Sequence, residues 1–140
     1  MIYEIASAIK TMIAGEFNDV EFYEGQFENF DEQIVNPPWA YLDVSRGLAG
    51  EVGVAVAELE FKLYLISSRI VRDPDSMLEL LEKTIAALHH KAVRSLVNNV
   101  AAYMGKCFCG EYKPLVVYPG LSVWELTLKV MRAGVDRQGN

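Results

Sequence analysis

The chain predicts an α+β fold: a mainly antiparallel or mixed four- to five-stranded sheet with two or three helices packed on one face. Three observations carry that expectation. Residues 59–65 alternate, with Leu59, Phe61, Leu63 and Leu65 on one side and Glu60, Lys62 and Tyr64 on the other, the period of a half-buried strand. After Arg72 the period changes. Met77, Leu78, Leu81, Ile85 and Leu88 recur at three- and four-residue spacing, which places an apolar stripe on a helix with Glu79, Glu82 and Lys83 elsewhere. Finally, the elements run helix, strands, long helix, closing strands, with no repeating strand-helix unit of the kind that builds a parallel sheet.

In chain order, Ile2, Ile5, Ile9, Met12 and Ile13 fall on one face of a first helix that Gly15 can end. Residues 20–24 alternate as a short strand. Asn36-Pro37-Pro38 precedes a second strand over 39–44, where prolines at the entry cost no ladder hydrogen bond. Residues 45–56 are rich in glycine and small side chains, which suits either a hairpin connection or an arm. Asp73 is placed to cap the long helix and Pro74 to occupy its first turn. Val93, Leu96, Val97 and Val100 support a further helical piece over 91–105, continuing the preceding helix or starting anew. Residues 115–118 read as a short strand, Pro119-Gly120 as a turn, and residues 121–131 as a strand with Trp124, Leu126, Leu128 and Val130 on one face. The tail over 132–140 is polar and expected to be loose.

The 140 residues make one expected domain, 1–140, and 51% hydrophobic against 23% charged residues is a globular composition. A net charge of −6 argues against a general nucleic-acid binder. The cations are scattered, since Arg46, Lys62, Arg69, Arg72, Lys83, Lys91 and Arg94 form no dense run. No apolar run reaches the ~20 residues that a membrane-crossing helix needs. The opening helix lacks a basic start, and Glu4 and Lys10 interrupt it, so it reads as mature chain in the cytoplasm rather than a signal peptide.

Catalysis needs a nucleophile with a base, a pair of differently placed acids, or a metal. The two histidines, His89 and His90, are adjacent late in a helix, where a positive side chain suits the dipole. Cys107 and Cys109 are too close for an easy disulfide and make only half of a four-ligand metal site. Ser45, Ser67, Ser68 and Ser122 lack a nucleophile-elbow context, and Gly47, Gly50 and Gly53 do not have the spacing of a phosphate loop. The reading is therefore of a protein that is not an enzyme, with no catalytic residues, metal or cofactor.

One segment stands out by charge. Glu16, Asp19, Glu21, Glu24, Glu28, Asp31 and Glu32 lie in a stretch with no Lys or Arg between Lys10 and Arg46, interleaved with Phe17, Phe22, Tyr23, Phe27 and Phe30. A solvated acidic face is the simple reading. A surface that repels DNA or meets a basic partner is the sharper one.

Taken together, MIYEIASAIKTMIAG, FYEGQFENF, NPPWAYLDV, FKLYLISSR and DPDSMLELLEKTIAAL resemble the small tail proteins of Mu-like bacteriophages and contractile tail particles. The resemblance covers residues 1–90 by layout, has no catalytic motif behind it, and fades after Lys91. It implies a tail terminator or completion protein: a ring-shaped homo-oligomer, usually a hexamer, at the head-proximal end of the tail tube. Such a ring ends tube growth and meets tube, sheath and neck proteins. It binds no nucleic acid specifically while DNA passes through, needs no membrane, and moves from the bacterial cytoplasm into the virion or tail particle. By expected exposure, the contact regions are Phe27, Glu28, Phe30, Asp31 and Glu32, with Arg46, Leu48, Val52 and Val54 in the arm over 46–57. The alternative reading is a soluble acidic protein-binding module or adaptor.

Overall fold

In a computed structural model, residues 2–22, 38–48, 58–68, 76–97, 100–115 and 121–132 are described. Helix α1 spans Ile2–Ile13 and runs into a 3-10 turn, Ala14–Glu16. Strands β1 (Asp19–Phe22), β2 (Trp39–Leu48) and β3 (Glu58–Ser68) follow, then helix α2 (Ser76–Leu88). The chain closes with β4 (Ala92–Val97), β5 (Val100–Pro114) and β6 (Leu121–Arg132). The six described strands form one sheet in the order β1-β2-β3-β6-β5-β4. Only β1 and β2 pair in parallel; the other four pairings are antiparallel. The α+β class holds, with one strand more than expected and two α-helices among the described residues.

The sheet curls around the helices: α1 touches β4 at one edge and β2 near the other, while α2 lies over β3 and β5. Between them lies the core, in which Ile5, Ile9 and Ile13 of α1 meet Phe61, Leu63 and Leu65 of β3 and Leu126, Leu128 and Val130 of β6. The alternation in β3 and β6 therefore sets the inner face, and burying each large side chain there contributes about 1.5–3 kcal/mol. The opposite face of the sheet carries charge. On it Lys62 Nζ donates to Thr127 Oγ1 at 3.0 Å and lies 3.7 Å from Glu125, which Lys113 also approaches at 3.9 Å. Lys129 sits 3.6 Å from Glu58.

Four expectations need correction. Residues 92–97 and 100–105 are strands, not a helix. Ala92 to Val97 pairs with Val100 to Lys106, leaving two residues between the strands. Val93, Val97 and Val100 are β-branched and favour a pleated backbone over a helical one. Leu78 is 53% exposed whereas Leu80 is buried, so α2 faces the core through Met77, Leu80, Leu81, Thr84 and Leu88. Thr84 fits that stripe because its hydroxyl donates back to the Leu80 carbonyl at 2.7 Å. Strand β2 continues to Leu48, so Arg46 and Leu48 belong to a strand rather than to an arm. There Gly47 faces Leu59, whose Cδ2 would lie 3.1 Å from an added Cβ. The strand expected at 115–118 begins after β5 has ended: Leu115 N donates to the Val123 carbonyl at 2.9 Å, and 116–118 lie outside the described residues. Asp73 and Pro74 also lie outside them.

Candidate functional site

Helix α1 buries Ile5, Ile9 and Ile13 at 0% exposure, yet the same stripe begins at Ile2, which is 48% exposed. Ile2 overhangs β2 at the end of the sheet where β1 runs out. The parallel register sets Val20 against Ala40 and Phe22 against Leu42, where the β1 pairing stops. Phe22 and Val44 lie on the inner, helix-facing side of the sheet but are 40% and 42% exposed. The result is a groove of about 400 Å³ whose walls are Ile2, Tyr3 and Ala6 from α1, Phe22 from β1, and Leu42 and Val44 from β2, with Asp43 beside them.

Aromatic contacts fix the shape of this groove. The Tyr3 and Phe22 rings meet edge to face at 5.8 Å, and Lys10 Nζ stands 5.2 Å from the centre of the Phe22 ring. Tyr3 remains 68% exposed. On β1 the carboxyl of Glu21 is pushed above its usual range, first by a hydrogen bond with Asp19, then by desolvation and by the Asp19 charge. The groove thus combines an apolar floor with the Tyr3 hydroxyl, the Asp43 carboxylate and, over the Phe22 ring, the Lys10 ammonium.

Of the residues singled out in the sequence, Arg46 and Leu48 stand on the exposed end of β2, a few positions beyond the groove, and Leu48 is 57% exposed. Phe27, Glu28, Phe30, Asp31, Glu32, Val52 and Val54 lie outside the described residues. Ile2, Tyr3, Leu42 and Val44 were not foreseen as site residues. Their signal was weak: a stripe starting at the first turn of a helix looks like core, and spacing alone does not show that Ile2 stays 48% exposed.

The histidines and cysteines come together elsewhere. Cys107 is fully buried on β5 and Cys109 partly so, and burial pushes their thiols up to about 12 and about 11. His89 Nδ1 accepts the Cys109 N–H at 2.9 Å. Among the described residues no group of three or more His, Cys, Asp or Glu is arranged to hold a metal ion, and no helix is long and apolar enough to cross a membrane. No family model matches the chain, and no curated protein matches it either.

Proposed function

We propose that the chain is a structural subunit of a phage-type tail, of the terminator or completion kind, which joins copies of itself into a ring and meets the tube and neck. The observation that supports this reading is the apolar groove, whose walls include side chains 40–68% exposed where α1 crosses β1 and β2. Exposed apolar side chains gathered in one concavity mark a contact surface. A ring needs contacts that differ on the two sides of each subunit and close by rotation, so a groove on one flank suits such a contact. The net charge of −6 suits a ring through which DNA slides, because like charge suppresses phosphate contacts.

The test is location. A labelled copy expressed in its native host, followed by electron microscopy of isolated tail-like particles, is expected to place the label at one end of the tube. Particles without label would overturn the reading and favour the second one, a soluble module whose acids near the groove, Asp19, Glu21 and Asp43, dock a basic partner. In that case association should slow steeply with added salt, since an exposed charge pair is screened beyond ~10 Å at 0.1 M.

A further inference from the structure

The two histidines take no part in the groove, and they occupy the most unusual backbone among the described residues. His90 has φ 63°, a left-handed conformation that a residue with a side chain adopts at a cost, usually where surrounding contacts hold it. Here the contacts are explicit. His90 N donates to the Cys107 carbonyl at 2.8 Å, Cys107 N donates to the Lys91 carbonyl at 2.9 Å, and His89 Nδ1 accepts the Cys109 N–H at 2.9 Å. The end of α2 is thereby clasped to β5 by two backbone bonds and one imidazole.

The imidazole bond has a chemical condition that the backbone bonds lack. Nδ1 accepts a hydrogen bond only while it carries no proton, so the ring must be the neutral tautomer with its hydrogen on Nε2. From the geometry we infer that His89 is a proton-operated latch: when neutral it pins β5 through the Cys109 N–H, and when protonated it releases that bond and turns to the negative end of α2.

The second position is supplied by the helix itself, because a cation is favoured near the last turn of a helix. The titratable and charged groups around His89 are His90 and Lys91 in the same turn and the thiols of Cys107 and Cys109 on β5. His90 is stacked against it, the ring centres 4.1 Å apart, and its other contact is the Phe108 ring at 5.2 Å. The thiols stay neutral at physiological pH, since burial pushes them to about 12 and about 11, so they offer the charged ring no compensating anion. His89 and His90 are the only histidines in the chain, so the ring signals of this turn are read without overlap from other imidazoles.

The experiment follows the Cys109 amide and the His89 ring in the full-length protein by nuclear magnetic resonance from pH 8 to pH 5. The expected result is that the Cys109 amide signal moves with the same midpoint as the His89 ring. Its hydrogen exchange, corrected for the intrinsic effect of pH, should speed up roughly fivefold, as expected for losing one ordinary hydrogen bond. His89→Phe should leave the Cys109 amide insensitive to pH and already fast. His90→Asn, which keeps a side chain tolerant of the left-handed backbone, should retain the transition. A Cys109 amide that stays fixed while the His89 ring titrates would overturn the latch, as would a transition that survives His89→Phe and disappears in His90→Asn.

Discussion

Cys107 and Cys109 lie two residues apart on β5, on the face turned to the helices, and their environment decides their chemistry. A thiol attacks as thiolate, so one pushed up to about 11 or 12 by burial reacts slowly whatever its neighbours. At pH 8 alkylation of Cys109 in the folded protein should be roughly two hundredfold slower than that of a free thiol, and Cys107 about tenfold slower again. Timed labelling with mass spectrometry checks this, and both residues should react fully once the protein is unfolded. Glu21 gives the complementary case of a raised carboxyl. Because its folded value is raised, the protonated form is favoured on folding. That contribution is present at acid pH and is lost as pH rises through the carboxylate range. Glu21→Gln should therefore stabilise the protein at pH 7, and the gain should shrink as the pH falls through the raised value of the folded carboxyl and be gone below the ordinary glutamate value of about 4.3. Urea melts of both proteins at pH 7 and pH 4 read the difference. Neither effect is visible in the sequence, since the partners Asp19 and Glu21 look like two more acids in an acidic stretch.

At the scale of elements, period was a good guide wherever a long run was half-buried. The alternating faces of β3 and β6 and the stripe of α1 follow from spacing alone. The reading fails where two periods coexist. Val93, Leu96, Val97 and Val100 satisfy a helical spacing, yet the same residues sit in two paired antiparallel strands, because the branched valines favour a pleated backbone. Helix α2 shows a subtler shift: its core face is rotated so that Leu80 and Thr84 point inward and Leu78 outward. A polar residue that satisfies itself on the backbone can hold a core position, which no apolar count reveals. The helix rotation is directly testable. Leu78→Glu should change stability by less than about 0.5 kcal/mol, whereas Leu80→Glu should cost about 3 kcal/mol or more, because it empties a packed site and buries a carboxylate. Thermal or urea denaturation of the two variants separates them.

For the whole molecule, the decisive feature is a mismatch of lengths. Among the described residues β1 pairs with four residues of a ten-residue β2, and beside that pairing Ile2, Tyr3, Phe22 and Val44 stay accessible in the groove under the start of α1. The sequence revealed the class of fold and the acidic balance, but the groove depends on where β1 stops and how α1 lies across it, which are tertiary facts. The outer face of the sheet carries ion pairs among Lys62, Glu125, Lys113, Lys129 and Glu58 and, further along, a second apolar cluster around Ile66 and Val123. Such surface pairs contribute about 0–1 kcal/mol each, and their effect here is to keep that face soluble.

The central claim is that the groove is where this subunit meets its assembly. It is tested most directly by placing a photo-crosslinking amino acid at Tyr3, which is 68% exposed at the groove mouth, and irradiating tail-like particles made in the native host. Covalent products are expected that join the chain to another copy of itself or to a tail-tube or neck protein, and these products should be lost when Val44→Asp places a charge in the groove wall. Particles that contain the protein but yield no intermolecular product from Tyr3 would contradict it.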